Sequence, residues 1–144
     1  MNTVIVEKTY EAPIARVWQA LTDKSQMKQW YFDVSDFKPE PGFKFEFIGG
    51  DENVKYRHLC EVVEADKPHK LSYTWQYENI EGVSLVAIEL SAEAENRTHV
   101  KLTHSGLDFK TDDKNFMPSS FNAGWNYILG QSLQNFVEKT DQSK

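Results

Sequence analysis

His58 and Cys60 stand two residues apart in a run of alternating character, and together they are the first candidates for chemistry in this 144-residue chain. On an extended strand, residues i and i+2 share a face about 7 Å apart. That is long for a thiol and the imidazole that would deprotonate it, and it supplies two of the three or four ligands that zinc takes. Thiol and metal chemistry are therefore not expected. Cys60, the single cysteine, reads as a small buried hydrophobe and His58 as a residue at a rim. His104 runs in phase with Val100 and Leu102, so it should reach the core face near a sheet end as a structural histidine with its hydrogen bonds satisfied. Glu89, between Ile88 and Leu90, would suit acid or base work if buried, but the alternation turns it toward solvent. The seven glycines and four histidines form no phosphate loop, nucleophile elbow or helical His pair. The expectation is no catalytic residue, no metal and no cofactor.

What the chain has in excess is aromatic surface: nine Phe, four Trp and six Tyr make up 13% of it. Phe45, Phe47, Tyr73, Trp75, Phe121, Trp125 and Leu129 recur at strand or helix spacing, and with Trp30 and His58 they form the expected lining of a pocket for a hydrophobic or aromatic small molecule. The plainer alternative is that the same rings pack against one another as a filled core. A ligand burying about 250 Å² of apolar surface gains about 6 kcal/mol before association costs are subtracted. Specific binding thus needs polar anchors as well, and Arg57, His58, Tyr73, Tyr77, Glu89, Asn122 and Tyr127 are available. The strand around 56–65 leaves its phase open, since either His58, Cys60 and Val62 or Arg57, Leu59 and Val63 could face inward.

The elements that must position these residues follow from pattern. Thr3 to Tyr10 alternates as a short strand. Pro13 opens a helix with Ile14, Val17, Trp18 and Leu21 on one face, and a second short helix after Thr22 to Ser25 carries Met27, Trp30 and Tyr31 inward. From Gly42 to Ser105 the period is two, and the connections are too short for crossover helices, so an antiparallel meander is expected. A polar loop runs from Asp108 to Asn115, and its charge run, Lys110 to Lys114, reads as exposed loop or as a flap over a pocket mouth. Pro118 then starts the last helix, in which Phe121, Trp125, Ile128, Leu129, Ser132, Leu133 and Phe136 make one stripe ending near Lys139. Gly124 and Gly130 interrupt it at roughly 1 kcal/mol each relative to alanine, which points to close backbone approach there, or to room for something else.

Length sets one domain, 1–144. Sixteen basic against 22 acidic side chains, a formal charge of −6, give no basic surface for nucleic acid. The longest apolar run, Leu85 to Ile88, is far short of a membrane span. Without a signal segment the chain reads as cytoplasmic; its oligomeric state is left open.

Ala12-Pro13 with Val17-Trp18 and Leu21, then Trp30, the strand from Leu71 to Trp75, Thr98 with Leu102-Thr103-His104-Ser105-Gly106, and Gly124-Trp125 with Leu129 and Leu133 together resemble the START-related superfamily. Within it, the chain is similar to bacterial homologues of the C-terminal domain of the activator of the ninety-kilodalton heat-shock protein's ATPase. The resemblance implies an α+β helix-grip fold: a curved antiparallel sheet of about six strands wrapped around a long C-terminal helix, with two short helices after the first strand. It also implies a cavity between helix and sheet of the kind relatives use for lipids, hormones or polyketide intermediates. The expected function is non-enzymatic binding of a small hydrophobic molecule in that cavity. Two alternatives stand beside it: a cyclase, aromatase or hydrolase in which Tyr73, His58 or Glu89 polarises a carbonyl, and a module that contacts a chaperone.

Overall fold

The computed structural model describes residues 3–50, 55–113 and 116–138. In chain order these form β1 (Val4–Tyr10), α1 (Ile14–Thr22), α2 (Lys24–Trp30), β2 (Lys44–Gly50), β3 (Lys55–Asp66), β4 (Lys70–Tyr77), β5 (Ile80–Ala94) and β6 (Arg97–Ser105). They are followed by α3 (Pro118–Tyr127), a π-helical stretch (Ile128–Leu133) and α4 (Gln134–Glu138), which run on as one C-terminal helix. The six strands make one antiparallel sheet in the order β1-β6-β5-β4-β3-β2. The sheet is curved, and the expected helix-grip architecture is what it forms with the C-terminal helix.

Register settles the phase that the sequence left open. Phe47 pairs with His58 and His58 with Tyr77, while Val62, Tyr73, Val86 and His104 follow one another across β3 to β6. All of these are buried, so His58, Cys60 and Val62 form the inward set. On the opposite face Glu7, Lys101, Glu89 and Lys70 lie side by side across four strands. Their alternating signs favour the pairing modestly, and Glu89 is exposed as the alternation required.

Pro13 sits one position before its expected place, as the extended N-cap of α1. A single residue, Asp23, ends α1 and caps α2, its carboxylate accepting from the Ser25 amide at 2.9 Å; the Ser25 hydroxyl, and after it that amide, hold its pKa below the usual carboxylate value. Pro118 takes the first position of the last helix. There the buried side chains are Phe121, Trp125, Leu129, Leu133 and Val137, each four residues after the last. In a helix of 3.6 residues per turn each such step overshoots by about 40°. The wider π turn rotates less per residue and returns the line to the sheet. Tyr10 donates its hydroxyl to the Leu129 carbonyl within this stretch at 2.8 Å, as expected where a π bulge disturbs the backbone ladder.

Two expectations are met only in part. At Gly130 an added Cβ would lie 3.3 Å from Lys8 Cε, the end of a side chain rather than backbone, and at Gly124 nothing lies within 4 Å, which is the open room that the sequence allowed. The loop after β6 is only partly a polar flap. Lys110 and Asp112 are exposed, yet Leu107, Phe109 and Phe116 are buried, because Phe109 and Phe116 pack edge-on against Tyr77 at 5.1 and 4.6 Å.

Candidate functional site

The concave face of the sheet meets α2 and the C-terminal helix around a void of about 10 Å³, lined by Leu21, Met27, Trp30, Tyr31, Leu71, Tyr73, Ile88, Leu102, Trp125 and Leu129. A space that size admits about one water molecule. Of the residues expected to line a pocket, Trp30, Tyr73, Trp125 and Leu129 meet here. Phe45, Phe47, His58, Trp75 and Phe121 are buried on the same side but stand behind the lining. Phe45 abuts Tyr73 edge-on at 5.3 Å, Phe47 and Trp125 abut Trp75 at 5.7 and 5.4 Å, and Phe121 abuts His104 at 5.2 Å. Among the possible anchors, Arg57, Glu89, Asn122 and Tyr127 are exposed, and Arg57 is held on the outer face by Glu46 and Glu78 at 2.8 Å each. Tyr73 is the expected anchor that reaches the void.

Each polar atom near the void has a defined partner. The Trp30 indole donates to the Ala20 carbonyl at 2.8 Å and so ties the end of α2 to α1. The hydroxyls of Tyr31 and Tyr73 bond each other at 3.1 Å. Trp125 donates its indole N–H to His104 Nδ1 at 3.0 Å, so Nδ1 is an acceptor and the ring proton sits on Nε2. That nitrogen donates to Ser84 Oγ at 2.8 Å, and Ser84 donates onward to the Trp75 carbonyl at 2.9 Å. This chain of three bonds fixes the C-terminal helix to β6, β5 and β4, and it makes His104 the satisfied structural histidine that its phase suggested. Burial pushes the His104 pKa down from 6.5 to about 3.

His58, expected at a rim, is instead enclosed: it stacks on Phe47 at 4.4 Å with Trp75 edge-on at 4.9 Å. Its Nδ1 donates to the Tyr56 carbonyl at 3.0 Å, and burial pushes its pKa down to about 4. Burial raises the Cys60 thiol and the Tyr73 phenol above their usual values. The groups near the void are thus neutral donors and acceptors, with no acid or base poised near neutral pH. Among the described residues no group of three or more His, Cys, Asp or Glu could hold a metal, and no buried side-chain polar atom lacks a partner. Leu21, Met27, Tyr31, Leu71, Ile88 and Leu102 line the void without having been among the expected lining. For Tyr31 the available signal was its place with Met27 and Trp30 on the inward side of the second short helix.

A second hollow, of about 360 Å³, opens on the outer face between β2, β3 and β4, with Lys44, Glu46, Glu61, Thr74 and Gln76 around it. It coincides with a break in the β3–β4 pairing, where the Glu61 amide is satisfied by the Thr74 hydroxyl at 3.0 Å.

Six antiparallel strands gripping a continuous helix, with two short helices after the first strand, define a START-related protein. Within that class the chain belongs to the family described as Activator of Hsp90 ATPase homolog 1-like protein, whose model matches residues 11–138. Among solved structures it is similar to protein MLL2253 from Mesorhizobium loti (26% identity, TM-score 0.78, covering 99% of this chain and 98% of that one). It is also similar to DynU16, a protein of the dynemicin biosynthetic locus (22% identity, TM-score 0.79), covering 97% of this chain but only 48% of DynU16. The Aha1 dimer from Colwellia psychrerythraea shares the fold at 22% identity and a TM-score of 0.73, with 96% and 98% covered. No curated protein matches the sequence.

Proposed function

We propose that this protein binds a small hydrophobic or aromatic molecule, without covalent chemistry, between the sheet and the C-terminal helix. The observation that carries the reading is the pair of hydrogen-bonded hydroxyls, Tyr31 and Tyr73, beside a void walled by Trp30 and Trp125. Apolar walls with a few placed polar groups are what small-molecule sites have in common. The void is too small for a ligand as it stands, so binding requires α2 or a side chain beside it to move. The neutral groups around it suit holding a molecule better than transferring a proton. The test is thermal unfolding against a library of aromatic and long-chain compounds. A ligand that binds only the native state raises the melting temperature, and a broad library giving no shift at high micromolar concentration would remove the reading.

A second reading, contact with a chaperone or with another copy of the chain, is favoured by the family match and by the exposed Ile5, Val83 and Leu85 on the outer sheet face. Co-sedimentation with the chaperone at low micromolar concentration would support it. Whichever holds, no helix among the described residues is long and apolar enough to cross a membrane, and a cytoplasmic location is part of this proposal.

A further inference from the structure

Tyr31 lies in the middle of the site rather than in its frame. It follows the last residue of α2 and belongs to neither helix nor strand. Its backbone N–H bonds the Met27 carbonyl, and its ring is only half-buried. Rings surround it: Trp30 stacks at 5.0 Å and 29°, Trp125 lies nearly parallel at 6.4 Å and 20°, Phe32 meets it edge-on at 4.6 Å, and Phe47 is tilted at 5.6 Å. Its hydroxyl ends on Tyr73. Withdrawing this side chain would break no strand pairing. It would join the space of one phenol ring to the adjoining void, giving a cavity on the order of 100 Å³, the scale at which dry engineered cavities take up benzene.

We infer that Tyr31 is a built-in occupant of the ligand's place, and that the molecule this site takes presents a neutral hydroxylated aromatic ring that displaces Tyr31 and bonds Tyr73. The inference rests on the binding reading above and narrows it. A ring is selected because the walls are ring faces at stacking distance. A neutral head is selected because no Lys or Arg lines the void, and an unpaired carboxylate there would be costly to desolvate. A hydroxyl is selected because Tyr73 already receives one.

The test is Tyr31→Ala with p-cresol, toluene and benzoate as probes at about 1 mM, read by thermal unfolding. The expected result is a melting temperature raised by p-cresol by about 3 °C or more beyond any rise with toluene, and no rise with benzoate. In Tyr31→Ala/Tyr73→Phe the advantage of p-cresol over toluene should disappear. Equal shifts from p-cresol and toluene in the single variant would overturn the hydroxyl assignment, and no shift from either would overturn the occupant assignment. Should Tyr31→Ala not fold alone, the readout becomes recovery of its near-ultraviolet circular dichroism on refolding with p-cresol, and failure to recover overturns the inference. A library that shifts the wild type while Tyr31→Ala ignores p-cresol defeats this inference and spares the binding reading. The reverse pattern defeats the binding reading and the displacement of Tyr31 by a ligand, while Tyr31 stands as the occupant.

Discussion

Acidification should destabilise the fold through its two enclosed imidazoles, by an amount that follows from their surroundings. In the folded protein His104 and His58 take up a proton only near pH 3 and pH 4, against an ordinary 6.5 once unfolded. The unfolded chain therefore binds more protons below about pH 6.5. Stability is full above that pH and falls as pH drops toward the folded values. At pH 5 each ring contributes a loss of about 2 kcal/mol relative to pH 8, so the pair contributes about 4 kcal/mol, a large part of a typical domain's stability. Urea unfolding at pH 8 and pH 5, followed by tryptophan fluorescence, measures this directly. His104→Gln, whatever its own stability, should show only about half the pH-dependent loss, because His58 alone still titrates. A wild-type loss under about 1 kcal/mol would mean that these rings protonate as readily folded as unfolded, and the bond chain from Trp125 through His104 to Ser84 would be wrong.

Three further expectations concern the C-terminal helix and a glycine of β5. Trp125→Ala should cost roughly 3 to 5 kcal/mol in chemical denaturation, since it empties a core position and leaves His104 Nδ1 without its donor; a loss under about 1 kcal/mol would remove the ring from the helix–sheet contact. Gly124→Ala should stabilise by about 0.5–1 kcal/mol, because the position is helical and open. Gly82→Ala should destabilise, since Gly82 has φ of +134° and an added Cβ would meet Phe109 at 2.8 Å. Melting temperatures moving the same way in both glycine variants would contradict this contrast.

The parts of the fold that were legible in the sequence are those where one period dominates. Phe43 to Phe47 and Leu71 to Tyr77 alternate cleanly, and strands run over Lys44–Gly50 and Lys70–Tyr77 with Phe45, Phe47, Tyr73, Trp75 and Tyr77 inward. Around 56–65 both faces carry apolar residues, so only pairing with Phe47 and Tyr77 could fix which side is buried. The π-helical stretch was not legible: the stripe expected from Phe121 to Phe136 fits an ordinary helix, whereas the buried line steps by four to Val137, which only the packing reveals. Phe109 was hidden by its charged neighbours, because exposure of a loop was read from its average and not from single rings. The site was legible as a set of aromatics. Which of them would meet was not, since Tyr31 reaches Trp125 and Tyr73 only through tertiary packing.

The first strand is married to the last: β1 lies against β6, Thr98 bonds the Ala12 carbonyl, and Tyr10 reaches Leu129 across 119 residues. During synthesis at about 5–20 residues per second, the opening segment must wait on the order of 10 s for these partners to emerge. The hairpins from β2 to β5 can assemble in the meantime, while β1 has no edge to pair with until β6 emerges. Seating of the N-terminal strand is then a late event on the ribosome, governed by elongation and by the slow search for distant contacts.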